Sequence, residues 1–292
     1  MAGATEHFNA GIAASNENNY QLAIESFSKA LKIAETLGEE GASIVNDCKK
    51  SLPKLHLYIG EDLAKAKKAD ESVVMLKKAV ELAKLYGDAQ VEASATALIP
   101  KVLLADASDY LDNDMYPEAV EAYKKAIAVE SNNASSFLGL GMAYSKLNNE
   151  LEAISAYTKA GELGAKEQAD KLISTIYLKK AAAAFSAKNY VLSLESAEKS
   201  YSILKSPQAS KIIGSSGFSL KKYDKAILGL TNYIAENPEM SSKEKLQVYY
   251  QVATSYETIK NNAKACEFYK KIPAADPTFG AFAASKVTTL CK

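Results

Sequence analysis

Two histidines and three cysteines are the residues in this 292-residue chain whose types most often do chemistry. His7 and His56 each stand four residues before a glycine, Gly11 and Gly60, with no Cys, Asp or Glu at ligand spacing beside them. The positions predict two packing histidines rather than a metal or acid–base pair. Cys48, Cys266 and Cys291 form no C-x-x-C and no zinc framework. Gly139 and Gly141 make a G-x-G inside an apolar helical stretch, without the following Lys-Ser/Thr that a phosphate loop needs. Asn133-Ala134-Ser135 fits a glycosylation acceptor, a triplet common enough by chance to carry little weight. No nucleophile elbow or carboxylate pair stands out. The sequence therefore assigns no catalytic residue, no metal and no cofactor, and a non-enzymatic role is expected.

Charge narrows the partners. The chain has 35 basic and 35 acidic residues, and every basic residue is Lys. A zero net charge argues against a simple electrostatic binder of nucleic acid or membrane surface. Without Arg, the bidentate forks used for phosphate and guanine are missing. No apolar run approaches the roughly 20 residues that span a bilayer, so no direct membrane insertion is expected, and no secretory signal pattern is found. Along the chain the balance breaks. Residues 1–150 hold 15 Lys and 22 Asp or Glu, whereas residues 151–292 hold 20 Lys and 13 Asp or Glu. Such a dipole could orient a partner or bring copies head to tail as a homo-oligomer; the plainer alternative is solvated outer faces.

The elements behind these residues repeat. In the segment from Ser135 to Leu163, Gly141 and Tyr144 lie on one apolar-periodic stretch, Asn148-Asn149 breaks it, and Ala153, Tyr157 and Ala160 lie on a second. Two short amphipathic helices and a tight turn are implied. Equivalents of Ala160 occur at Ala30, Ala79, Ala126, Ser200, Tyr233 and Ile272. Seven residues earlier stand Ala23, Ser72, Ala119, Ala153, Ser193, Ala226 and Ala265; nineteen earlier stand Gly11, Gly60, Ala107, Gly141, Ala181, Gly214 and Ala253. Both rows are uniformly small. Three residues before the anchor runs a filling row, Phe27, Leu76, Tyr123, Tyr157, Ala197, Leu230 and Tyr269. In these rows the chain resembles the tetratricopeptide repeat family over nearly its whole length, with Pro238 and Pro277 where that family closes a repeat. The resemblance implies an all-α, right-handed α-solenoid (superhelix) of about seven helix pairs plus a C-terminal capping helix.

The pairs are expected at about 6–37, 53–87, 100–132, 134–165, 174–206, 207–238 and 246–277, in one continuous solenoid over 1–292 with the cap at 278–291. Anchor spacings of 49, 47, 34, 40, 33 and 39 exceed the usual repeat of about 34 in the first two steps. The surplus, 41–52 and 89–99, is helix-compatible and ends in Leu52-Pro53-Lys54-Leu55 and Ile99-Pro100-Lys101-Val102. A long helix, kinked or broken at the proline, is expected there. Lengthened units of this kind look like those of exported tetratricopeptide proteins of Gram-negative bacteria, which implies a periplasmic or exported setting. If the last helices are antiparallel, Cys266 and Cys291 fall near the same end of a hairpin. A disulfide there is one reading, and two buried thiols the other.

In the family the first helix of each pair lines the concave face, and the residue three before the small position points into it. That row reads Phe8, Leu57, Leu104, Leu138, Leu178, Lys211 and Tyr250, joined by Ile12, Leu111, Met142, Phe185 and Phe218 one and four residues past the small position. The resemblance thus implies a scaffold whose apolar groove takes a protein or peptide segment, extended or helical. The Lys, Asn and Arg clamp for acidic chaperone tails is not expected, since Ile12, Glu61 and Ser108 follow the small positions. A self-assembling subunit of a bacterial envelope complex is the alternative. Winding of the solenoid could also bury much of the row.

Overall fold

The computed structural model describes residues 1–291, and no strand occurs among them. The chain divides into two compact units, Met1–Ala156 and Tyr157–Lys292. The first holds α1 (Ala2–Asn16), α2 (Tyr20–Glu35), α3 (Ala42–Lys65), α4 (Ala69–Tyr86), α5 (Ala89–Asp112), α6 (Tyr116–Val129) and α7 (Ala134–Lys146). Helix α8 (Glu150–Ala160) crosses the division. The second holds α9 (Lys166–Ser186), α10 (Tyr190–Ile203), α11 (Pro207–Ser219), α12 (Tyr223–Glu236), α13 (Ser242–Thr258), α14 (Asn262–Tyr269) and α15 (Gly280–Leu290). Within each unit a helix packs on its successor, and α3 meets α5, α5 meets α7, and α9 meets α11. Packing at one step and at two is how helix pairs layer, each covering the apolar stripe its neighbour cannot bury alone.

One turn builds every pair. Asn18, Lys67, Asp114, Asn148, Lys188, Lys221 and Lys260 all adopt left-handed φ between 58 and 63°. Each lies twelve residues before its anchor. The next residue's N–H reaches a carbonyl five residues back, as from Asn19 to Ala14 at 2.8 Å and from Lys222 to Gly217 at 2.8 Å. That closure uses the carbonyls a helix end leaves unpaired and reverses the chain in two residues. Asn19, Asn189 and Asn261 then cap the second helix, their side-chain oxygens accepting from the N–H groups of Leu22, Leu192 and Lys264.

The small and filling rows meet inside each pair. A methyl group on Gly11 would stand 2.9 Å from the Phe27 ring, one on Gly60 2.7 Å from Leu76, and one on Gly214 2.5 Å from Leu230. Where serine replaces alanine in the other small row it has a partner. Ser72 donates to the Gly60 carbonyl at 2.6 Å, and Ser193 to that of Ala181 at 2.9 Å. A hydroxyl is tolerated in the core because the facing helix supplies an acceptor.

The lengthened segments are single helices of 24 residues, α3 and α5, that run through Pro53 and Pro100 without a break. Their added turns bury Cys48 and Leu52 in α3 and Val91, Ala95 and Ile99 in α5. Gly38 and Gly87, with φ of 57° and 78°, end the preceding segments in the left-handed conformation that glycine adopts without strain. At the other end of the chain, α15 lies on α14, and Cys266 and Cys291 come together as a disulfide with Cα atoms 5.5 Å apart. Phe279 stacks on Tyr250 at 4.7 Å, and Lys286 pairs with Glu257, which also accepts from the Tyr269 hydroxyl at 2.7 Å.

Candidate functional site

The candidate concave row is not uniformly open. Leu57 and Leu138 are 7% and 8% exposed, and Ile12 is 41% exposed. Leu104 and Leu111 are half-buried against the cluster around Ala107 and Tyr123, and Met142 is half-buried in α7. Phe8 leans edge-on against Phe27 with centroids 5.5 Å apart. Tyr250 is covered by Phe279 and by Phe282, whose ring lies 5.6 Å away. Neighbouring helices, and the cap in the case of Tyr250, cover these positions apart from Ile12.

Between α9 and α11 the row opens. A cleft of about 530 Å³ is walled on one side by Leu178, Ala182 and Phe185 and on the other by Gln208, Ile212 and Ser215. The volume lies within the roughly 300–1,000 Å³ of ordinary binding pockets. Leu178, Ala182 and Phe185 recur at four and three residues, the stripe that turns one helical face to the cleft. Phe185 is fixed from behind by an edge-on contact with Tyr190, the first residue of α10, at 5.4 Å. Phe218 makes the same contact with Tyr223 at 6.4 Å, but outside the cleft. Buried serines join the helices of this unit: Ser216 of α11 donates to Ser193 of α10 at 2.9 Å, and the Ser174 and Ser200 hydroxyls of α9 and α10 lie 2.9 Å apart.

Lys179 and Lys211 are the charged residues of the lining. Lys211 donates to Glu244 of α13 and lies 5.5 Å from the Tyr233 ring centroid. Its hydrogen bond to Glu244 raises its pKa above the ordinary lysine value, with burial opposing, while the same bond and one from Tyr233 lower that of Glu244. Both groups stay ionised near neutral pH. Lys179 is exposed and has no ion-pair partner among the described residues. The groove is therefore an apolar floor beneath two cations.

The sequence row includes Leu178 and Phe185 of this cleft and has Lys211 as its exception. It omits Ala182 and Ser215, one residue beyond the small positions Ala181 and Gly214, because the row is one of large apolar side chains. Lys179, Gln208 and Ile212 carry no independent signal in the sequence. They become visible once α9 and α11 are seen to be neighbours.

The chemistry-bearing residues lie elsewhere. Nδ1 of His56 is buried without a hydrogen-bond partner, and burial, then Lys78, lowers its pKa while Glu81 opposes. A neutral packing imidazole results. Cys48 is fully buried and its thiol is pushed up to about 11, chiefly by burial, which leaves it inert. In the first unit a cleft of about 370 Å³ gathers Asp70, Asp106, Glu118 and Glu121 with Lys125, which holds Asp70 at 3.0 Å. Burial first, then Asp70, raises the Asp106 pKa. Among the described residues no group of three or more His, Cys, Asp or Glu side chains is placed to hold a metal. No helix there is long and apolar enough to cross a membrane.

Comparison with known proteins bears on the repeats. A family model described as tetratricopeptide repeat matches residues 7–37, 134–169 and 246–278, and a second, described as TPR repeat, matches 108–148. No curated protein matches the chain. Among solved structures the chain is similar to YrrB, a TPR protein with an unusual peptide-binding site. Identity is 18% and the TM-score 0.36, over 63% of this chain and 91% of that one. It is also similar to the TPR2AB domain of yeast Sti1 in its complex with a pHSP90 (16%, 0.34, covering 83% and 100%) and to pilF of Pseudomonas aeruginosa (16%, 0.33, covering 81% and 99%). The helix pairs α1–α2, α7–α8 and α13–α14 coincide with the three segments matched by the first model, and the chain carries tetratricopeptide repeats.

Proposed function

We propose that the chain is a protein-interaction scaffold whose second unit takes a peptide segment of a partner in the cleft between α9 and α11. Tetratricopeptide repeat proteins act as such scaffolds. The observation that carries the reading here is the cleft itself. Leu178, Phe185 and Ile212 turn apolar surface to solvent that no other described element of the unit covers, and they do so on rigid helices. An apolar floor with few polar groups is what a segment needs to exchange water for contact with its own apolar side chains.

The test is selection from a displayed peptide library by the wild type and by the double variant Leu178→Glu, Phe185→Glu, with circular dichroism showing that the variant still folds. Sequences enriched by the wild type and lost by the folded variant support the cleft as the binding surface. Equal enrichment by both, or none by the wild type, overturns it.

A further inference from the structure

We propose that the segment taken by the α9–α11 cleft is an amphipathic helix whose apolar stripe is flanked by acidic residues. The proposal rests on the reading of that cleft as the binding surface. Its first support is length. From Leu178 to Phe185 the floor runs seven residues along α9, about 10 Å at 1.5 Å per residue. An extended strand covers that length with about three residues and turns only alternate side chains downward. A helix covers it with two turns and presents three or four side chains on one face. The cleft of about 530 Å³ needs the larger number to fill it.

The second support is charge. The floor is lined by Leu178, Ala182, Phe185 and Ile212, and the charges at its edges are Lys179 on α9 and Lys211 on α11, one on each wall. Among the described residues no acidic side chain lines the cleft. Lys179 has no ion-pair partner among the described residues, and Lys211 gives a bond to Glu244 but keeps further ammonium donors. A helix seated between the walls would carry carboxylates on both flanks of its stripe within reach of these two cations. Lysine flanks would set like charges together.

Three synthetic peptides test this by calorimetric titration. One has leucines at i, i+3, i+4 and i+7 flanked by glutamates, the second has the same stripe flanked by lysines, and the third is the first with a central proline. The glutamate peptide is expected to bind the wild type about tenfold or more tightly than either of the others, and to weaken as salt rises. Lys179→Glu with Lys211→Gln should shift preference toward the lysine peptide, with circular dichroism confirming the fold. Equal affinity for the lysine or proline peptide overturns this proposal while leaving the cleft reading intact. Failure of all three, with the peptide library still giving cleft-dependent binders, does the same, and failure of both experiments overturns the cleft reading as well. Concentration-dependent dimerisation abolished by Leu178→Glu would replace the acidic helix with a second copy.

Discussion

At the scale of single residues, the interior of each pair depends on pairing nothing with something large. Gly214 stands where a methyl would meet Leu230 at 2.5 Å, and the Leu230 backbone N lies 2.7 Å from the same point. An ordinary helical Gly→Ala change stabilises by about 1 kcal/mol, because alanine loses less backbone freedom on folding. Here the added carbon has nowhere to go. Gly214→Ala is expected to destabilise the second unit by about 1–3 kcal/mol, the usual cost of overpacking. Chemical denaturation would show it as a lowered midpoint with an unchanged slope. In a double-mutant cycle Gly214→Ala should cost less in a Leu230→Ala background than in the wild type, and an equal cost in both would place the strain at the Leu230 backbone rather than its side chain. This scale is the most legible in sequence. Small residues at fixed offsets from Ala30, Ala79 and Ala126 identify the rows without structure, and the same packing physics places their partners. What the rows do not tell is which concave positions stay open: Leu57 is buried and Ile12 exposed, though the sequence assigns both to the concave face. Exposure depends on how closely the next first helix approaches, which is set by side chains far away in sequence.

At the scale of the element, the seven turns share one geometry but not one chemistry. Asn19, Asn189 and Asn261 cap their helices with a side-chain bond, whereas Lys68, Met115 and Lys222 stand at the same place without one. The backbone at Lys222, φ −87° and ψ 74°, is close to that at Asn189, φ −82° and ψ 73°. Lys222→Asn should therefore add a bond to the first turn of α12 and stabilise by about 1 kcal/mol. Thermal melting checks it, and a melting temperature no higher than the wild type's would show that something other than the missing cap governs that turn. The left-handed residues explain why several turns are hard to read from sequence. Asn18 and Asn148 announce a left-handed residue, but Lys67, Lys188, Lys221 and Lys260 do not. The fold imposes the conformation because closing the hairpin recovers more than the strained residue costs. For the same reason Pro53 and Pro100 lie inside unbroken helices: the added turns bury apolar surface on both sides of the lost hydrogen bond.

At the scale of the molecule, the two units give the Cys266–Cys291 bridge a local consequence. Both cysteines belong to the second unit, where α15 is tied to α14 by the bridge and to α13 by Phe279 and Phe282 on Tyr250 and by Lys286 on Glu257. Helix α15 itself buries little, with Gly280 and Ala283 its fully packed residues. Without the covalent tie its place depends on those few aromatic contacts and one ion pair. A bridge spanning 25 residues restricts the unfolded chain by roughly 3.5 kcal/mol on the chain-entropy estimate. Reduction should therefore weaken the second unit by up to about that amount and leave the first unchanged. Cys48, the remaining thiol, lies buried in the first unit and its high pKa keeps it out of exchange, so oxidised and reduced protein differ at one bond. Hydrogen exchange resolved by segment reads the two units separately. Faster exchange in α13, α14 and α15 of the reduced protein, with α1 to α6 unaltered, is the expected result. Equal acceleration throughout would mean that the units unfold as one cooperative body, and no change anywhere would mean that the aromatic contacts alone hold the cap.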